Sequence, residues 1–215
     1  MTDYKTLNHI GFILDGNRRW ARRKGLPTLS GHKKGYDNLK TIAQYCFDKG
    51  VKIVSAFVFS TENWKRSKNE VDYLMSLLKK ALIEETEAMH EKGVKINVMG
   101  SGKKLSQNIV RLIKEAEEKT AKNKKGILNL CLNYGGRQEI VEAVKKISKE
   151  SIDPEKITEK TIEDRLWSAG QEDPDLVIRT SGEMRLSGFL TWQSVYSELY
   201  FHKKMWPEFK TENLD

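Results

Sequence analysis

The chain predicts an α/β fold: a single domain on a mostly parallel six-stranded sheet, flanked by helices on both faces. Two observations carry this. Short apolar runs alternate with longer stretches of helical periodicity, the pattern of parallel strands joined by crossover helices. The 215 residues suit one such domain, with no repeat, low-complexity tract or linker to divide them.

Taken in order, the first strand is expected from His9 to Leu14 and ends in Asp15-Gly16-Asn17, followed by Arg18, Arg19, Arg22 and Arg23. Gly16 permits a tight turn, and Asn17 reads equally as the cap of a helix beginning at Arg18 or as a site residue. Gly31-His32-Lys33-Lys34-Gly35 precedes a helix from Gly35 to Lys49, so its backbone N–H groups could hold phosphate. A second strand, Lys52 to Phe59, opens onto Ser60-Thr61-Glu62-Asn63-Trp64-Lys65-Arg66. The helix Asn69 to Lys92 carries Leu74, Leu77, Leu78, Ala81 and Leu82 at helical spacing, which by pattern alone is core.

The strand Val94 to Met99 and the helix Lys103 to Lys122 come next. A strand from Ile127 to Asn133 leads into Tyr134-Gly135-Gly136-Arg137, and helices follow over Arg137 to Lys149 and Thr158 to Ser168. Asp175 to Arg179 forms a fifth strand, opening onto Thr180-Ser181-Gly182-Glu183-Met184-Arg185-Leu186-Ser187, and Glu198 to Phe201 a short sixth. Ligands of such sheets bind beyond the carboxyl ends of the strands. The polar segments after strands one, two, four and five are therefore expected on one rim.

Their chemistry is that of anion binding. A formal net charge of +8 implies an anionic partner. Arginine is the better bidentate phosphate ligand, and it is concentrated at these strand ends. Asp15 among arginines suggests Mg²⁺ bridging to a phosphorylated substrate, since Mg²⁺ takes one or two carboxylates plus phosphate oxygens. Phe59 and Trp64 beside Ser60, Glu62 and Asn63 suit a ligand apolar at one end and charged at the other. The turn from Arg179 to Ser187 reads as a diphosphate clamp, with ion pairing to Glu183 as its alternative. Glu198 reads as a second metal carboxylate or as an ordinary edge acid. A nucleic-acid partner is disfavoured, because the arginines do not line a face with stacking aromatics.

No zinc spacing, nucleophile elbow or dinucleotide glycine motif is present. No apolar run approaches the ~20 residues that cross a bilayer. Met1 to Thr6 lacks the hydrophobic stretch of a secretory signal. Cys46 and Cys131 read as buried small hydrophobes, so a cytoplasmic setting is expected.

Asp15-Gly16-Asn17-Arg18-Arg19-Trp20-Ala21, Gly31 to Gly35, Phe59 to Trp64, Asn133 to Arg137, and Arg179 to Glu183 through Glu198-Leu199-Tyr200-Phe201 form an ordered set. Together they resemble the cis-prenyltransferases of the undecaprenyl diphosphate synthase (isoprenyl transferase) family, from about His9 to Phe209. The resemblance implies condensation of isopentenyl diphosphate with an allylic diphosphate such as farnesyl diphosphate, with undecaprenyl diphosphate for the cell-wall lipid carrier as expected product. A short- or medium-chain product, or a non-catalytic subunit of a heteromeric enzyme, is the alternative.

It also implies roles. Asp15 would hold Mg²⁺, with Glu198 completing the metal site, from a dimer partner if not from the same chain. Gly16, Asn17, Arg18, Arg19, Trp20 and His32 would cradle the allylic diphosphate. Ser60, Thr61, Glu62, Trp64 and Arg66 match substrate-contacting positions. Arg179, Arg185, Leu186 and Ser187 would take isopentenyl diphosphate. Asn63 stands where the family places a proton acceptor; an amide is a poor base, so positioning is the better reading. An apolar tunnel, a homodimer and membrane association through the lipid product follow by the same resemblance, and Val58 is a candidate for shortening the tunnel. Thr28 replaces a usual Arg, Gly188 a usual Asn and Met184 an occasional metal-contacting His, and the resemblance implies a basic tail beyond Phe209, which the sequence to Asp215 does not extend far enough to include.

Overall fold

The computed structural model describes residues 7–215, so the reading of Met1 to Thr6 falls outside the described residues. Six strands, β1 (His9–Ile13), β2 (Ile53–Ser60), β3 (Val94–Met99), β4 (Gly126–Tyr134), β5 (Leu176–Arg179) and β6 (Glu198–Phe201), are each displaced by no more than one residue from the expected ends. They form one sheet in the order β3-β4-β2-β1-β5-β6, every neighbouring pair parallel. Helices α1 (Asn17–Arg23), α2 (Thr28–Asp48), α3 (Lys68–Glu91), α4 (Gln107–Thr120), α5 (Gly136–Lys149) and α6 (Glu159–Glu163) lie between the strands.

Successive strand residues feed opposite faces, as the pleat requires. Phe12 and Ile178 join a cluster with Leu39, Ile42 and Phe47 of α2, whereas Ile13 and Val177 pack with Tyr134, Phe189 and Leu190. A sheet buried on both faces is what crossover connections demand. From β1 the chain goes first to β2 on one side and later to β5 on the other. The order therefore reverses at β1, the switch point where sheets of this kind bind ligands.

Helix boundaries moved more than strands. α2 begins at Thr28, after Pro27, so Gly31 to Gly35 is helix rather than a loop before one. Its amides lie past the opening turn whose N–H groups are free, which removes the expected backbone phosphate loop. The glycines serve packing instead. A Cβ on Gly31 would stand 2.0 Å from the Asn17 carbonyl oxygen, and one on Gly35 would stand 2.4 Å from Asn17 Oδ1. Asn17 is thus the first residue of α1, seated on a flat strip of α2, and the cap position belongs to Gly16.

α4 starts at the Ser106 cap, whose hydroxyl accepts from the Ile109 N–H at 3.3 Å. α6 stops at Glu163, and the Trp167 N–H is taken by the buried Glu139 carboxylate at 2.8 Å, which draws the chain out of the expected helix.

Gly31→Ala should destabilise the fold by about 1–3 kcal/mol, the usual cost of overpacking. Gly102→Ala, with open space around its Cβ, should be close to neutral. Thermal unfolding of both proteins checks this.

A buried polar chain crosses the sheet. The Glu172 carbonyl can only accept, so His9 Nδ1 carries the proton of that 2.7 Å bond. Nε2 then accepts from Ser55 Oγ at 2.7 Å, and Ser55 Oγ accepts from Asn129 Nδ2 at 2.9 Å. Burial holds the His9 pKa below its usual 6.5, and His32 is shifted the same way for the same first reason. The unfolded chain therefore takes up these protons first. Stability should be full above about pH 6.5 and fall as pH drops below it. Denaturant titrations at pH 7.5 and 5.5 test this, with His9→Asn flattening the dependence.

Cys46 and Cys131 are buried and free, as expected. Among the described residues no helix is long and apolar enough to cross a membrane.

Candidate active site

Beyond β1 the backbone turns sharply. Gly16 has φ +105°, and a Cβ there would meet the Met205 Cβ at 2.8 Å, so only glycine fits. The turn presents the Asp15 carboxylate between β1 and β5. Asp15 Oδ2 accepts from Arg179 Nη2 at 2.8 Å, and Oδ1 lies 3.3 Å from Arg19 Nη2.

Arg179 is 5% exposed, and its Nη1 donates to Ser187 Oγ at 2.8 Å and to the Arg185 carbonyl. Both terminal nitrogens are therefore engaged in holding the 180–188 turn against Asp15. Arg185 remains exposed and pairs with Glu183, whose other oxygen takes Arg19 at 3.0 Å. The ion-pair alternative for this turn is thus present, and it ties Arg19 to Arg185. Ser187 and Gly188 have φ of +53° and +78°, and the Gly188 carbonyl accepts from the Gly136 N–H at 2.8 Å. Glycine at 188 suits that left-handed turn as well as the usual asparagine would.

A residue not singled out in the sequence organises the cationic side. Glu70 Oε1 accepts from His32 Nε2 at 2.9 Å and from Arg66 Nη1 at 3.1 Å, and lies 3.6 Å from Arg18 Nε. Burial pushes the Glu70 carboxyl up. The His32 hydrogen bond and the Arg66 and Arg18 charges outweigh it and hold the group below the usual range. The sequence signal at Glu70 was Ser67-x-x-Glu, a helix start, and Ser67 Oγ does accept the Glu70 N–H.

Trp206 is the second such residue. Its N–H donates to the Asp15 carbonyl at 2.9 Å and its indole N–H to the Gly35 carbonyl at 2.8 Å, which ties the Asp15 turn to α2.

Two cavities meet here. One, of about 390 Å³, is lined by Asp15, Gly16, Arg18, Arg19, Arg22 and their neighbours. The other, of about 190 Å³, is walled by Leu74, Leu77, Leu78, Ala81 and Leu82 of α3, with Val58 and Leu128 from the sheet. The α3 stripe read as core does pack on the core at Leu74, Leu78 and Leu82, and it also walls this void. Leu14, Asn17 and Arg66 belong to both linings. Asn17 Oδ1 is buried there without a hydrogen-bond partner.

Asn63 lines the apolar cavity near this junction. Its Oδ1 accepts from the Ser60 N–H at 3.0 Å, so that oxygen is engaged and Nδ2 is the end of the amide left over.

Other expected contacts are not brought to the cavities. Glu62 faces solvent, paired with Lys65 at 2.5 Å. Thr61 packs on Gly135. Trp64 donates to Asn133 Oδ1 at 2.7 Å and packs edge-on to Phe59, bracing the turn. Trp20 lines neither cavity, and Leu186 packs on the cluster holding Tyr134 and Phe189. Met184 is exposed, and Thr28 opens α2.

Glu198 is not brought to Asp15 within one chain, which leaves only the dimer-partner form of its expected role. It pairs with Leu176, which pairs with Ile10. That places it toward the amino-terminal end of the sheet, whereas Asp15 lies beyond the carboxyl end. Within one chain the two carboxylates cannot share a metal.

A family model described as "Putative undecaprenyl diphosphate synthase" matches residues 13–215. An isoprenyl transferase of Thermotoga maritima is 45% identical over 203 residues, 94% of this chain and 87% of that protein. The chain belongs to this isoprenyl transferase family. An isoprenyl transferase of Prochlorococcus marinus is 46% identical over 205 residues, covering 94% of this chain and 75% of its own. Among solved structures, lavandulyl diphosphate synthase from Lavandula x intermedia in complex with dimethylallyl diphosphate superposes with a TM-score of 0.93 at 33% identity, covering 97% of this chain and 92% of that one.

For an isoprenyl transferase, the donor set at Asp15 fits Mg²⁺ in one particular way. Mg²⁺ commonly takes one or two carboxylates, substrate phosphate oxygens and water. Asp15 supplies one carboxylate at the edge of the arginine-lined pocket. Among the described residues no group of three or more His, Cys, Asp or Glu could cage an ion unaided.

Proposed function

We propose that this isoprenyl transferase condenses isopentenyl diphosphate with an allylic diphosphate such as farnesyl diphosphate, giving a Z-polyprenyl diphosphate. One observation carries the reading. The arginine-lined pocket opens through Asn17 and Arg66 into an apolar cavity, so a ligand with a diphosphate head and a hydrocarbon tail fills both.

Arg18, Arg19, Arg66 and His32 hold the allylic diphosphate by charge-assisted bonds. Asp15 would hold Mg²⁺, which would supply charge neutralisation for the leaving diphosphate. Arg185 and Ser187 take the second diphosphate, in a turn kept in place by Arg179. As the allylic carbon–oxygen bond breaks, the double-bond electrons of isopentenyl diphosphate form the new carbon–carbon bond and a proton is lost. Asn63 orients that exchange through its Nδ2 protons, and the departing diphosphate is the stronger base.

The expected product is undecaprenyl diphosphate. A shorter product is the second reading, favoured by Val58 in the cavity wall. The protein is read as cytoplasmic, meeting the membrane through its product. Val195, Tyr196, Leu199 and Tyr200 are exposed beside the open edge strand β6, with Tyr196 98% exposed, which supports a homodimer through this edge. Glu198 lies on the same edge, so it can reach a metal only in a second copy.

Incubation with farnesyl diphosphate, labelled isopentenyl diphosphate and Mg²⁺ should yield a ladder of longer diphosphates. No elongated product under these conditions would overturn the reading.

A further inference from the structure

α2 and α3 are pinned together at two polar points, unequally spaced on the two helices. At the cavity mouth His32 meets Glu70. Further along, Tyr36 Oη donates to Glu85 Oε1 at 2.7 Å, and Lys40 Nζ donates to the same oxygen at 2.9 Å. At 1.5 Å per residue the pins are about 6–12 Å apart along α2 but about 22 Å apart along α3. The stretch of α3 between the pins is the longer one, and the apolar cavity is lined by both helices there.

Tyr36, Lys40 and Glu85 belong to the lining of that cavity. The Lys40 and Glu85 side chains are also 39% and 23% exposed. With the void on one side and solvent on the other, the triad closes the outer seam. Burial pushes the Glu85 carboxyl up, but bonds from Lys40 and Tyr36 outweigh it and keep it below the usual range, so the seam carries a charge pair at neutral pH. Lys40 also lies 5.0 Å from the Tyr36 ring centre, which fixes the ring against the seam. A hydrocarbon leaving by this route would have to separate these groups and desolvate charge. Inward, by contrast, the lining is apolar at Ala43, Met89, Ile96 and Leu128.

We propose that the Tyr36–Glu85–Lys40 triad determines the length of chain this protein accommodates, barring the α2–α3 seam and turning the growing tail into the inner apolar lobe. The proposal rests on the prenyl-chain reading of the cavity.

The test compares binding of C15 and C20 allylic diphosphates, read by quenching of tryptophan fluorescence without turnover. Wild type should favour the C15 ligand. Glu85→Leu, which cuts both bonds, should narrow that preference by at least about threefold. Tyr36→Phe, which cuts one and keeps the ring, should narrow it less. Product ladders should lengthen in the same order.

An unchanged C15-to-C20 ratio in two variants that unfold like wild type overturns the triad's role while leaving prenyl transfer standing. If neither ligand binds wild type, the prenyl reading falls and the proposal falls with it.

Discussion

Asp15→Asn should lower turnover by about 10²–10³-fold, while the protein unfolds near the wild-type temperature. The asparagine oxygen can still accept from Arg179 Nη2, so the turn keeps its shape and only the negative charge is lost. Asp15→Ala should be equally inactive but also less stable. It strips a partner from an arginine that is 5% exposed and whose Nε is already unpaired. Losing a hydrogen bond to a charged group costs about 2 kcal/mol, which for a domain of this size is a drop of roughly 4–8 °C in Tm. Steady-state kinetics and a melting curve on each variant separate the effects. Equal turnover in Asp15→Asn and wild type would refute the role given to this carboxylate.

Glu70→Ala should reduce kcat/KM for the allylic diphosphate by about 10²-fold, because displacement of binding groups by about 1 Å has effects of that size. Two influences oppose each other. Removing an anion from a diphosphate pocket favours the ligand, but the Glu70 charge is already largely neutralised by Arg66, Arg18 and the His32 hydrogen bond. Releasing His32, Arg66 and Arg18 from their common acceptor disfavours it, and a 10²-fold loss corresponds to about 2.7 kcal/mol. Positioning therefore wins. Glu70→Gln, which keeps an acceptor oxygen but no charge, should fall between wild type and Glu70→Ala. Inorganic pyrophosphate binding by calorimetry gives an independent reading, and tighter binding by Glu70→Ala would show that charge dominates.

The strands were legible because short apolar runs bounded by polar turns have few other uses. The convergence of Asp15, Arg66, Arg179 and Arg185 on one rim followed from strand direction alone. What was hidden depended on three-dimensional neighbours. Gly31 and Gly35 look like loop residues until α1 is seen to lie on them. Glu70 looks like a helix start because it is one as well as a common acceptor for the cradle. The Leu74 to Leu82 stripe has the periodicity of core and packs as core in part, and no one-dimensional pattern shows that it also faces a void. Glu198 followed the right motif, yet only the β5–β6 register shows which end of the sheet it occupies.

The seating of Asn17 on α2 bears on any attempt to transplant this chemistry. The Asp15 turn is not a portable loop. Its geometry needs the glycine strip at Gly31 and Gly35, and Trp206 joins the Asp15 carbonyl to the same helix from the far end of the chain. A scaffold receiving residues 13–23 alone would obtain the arginines without the surface that aims them. The smallest transferable unit is the turn, the helix beneath it and the Trp206 clip together, three pieces that have to be carried as one part.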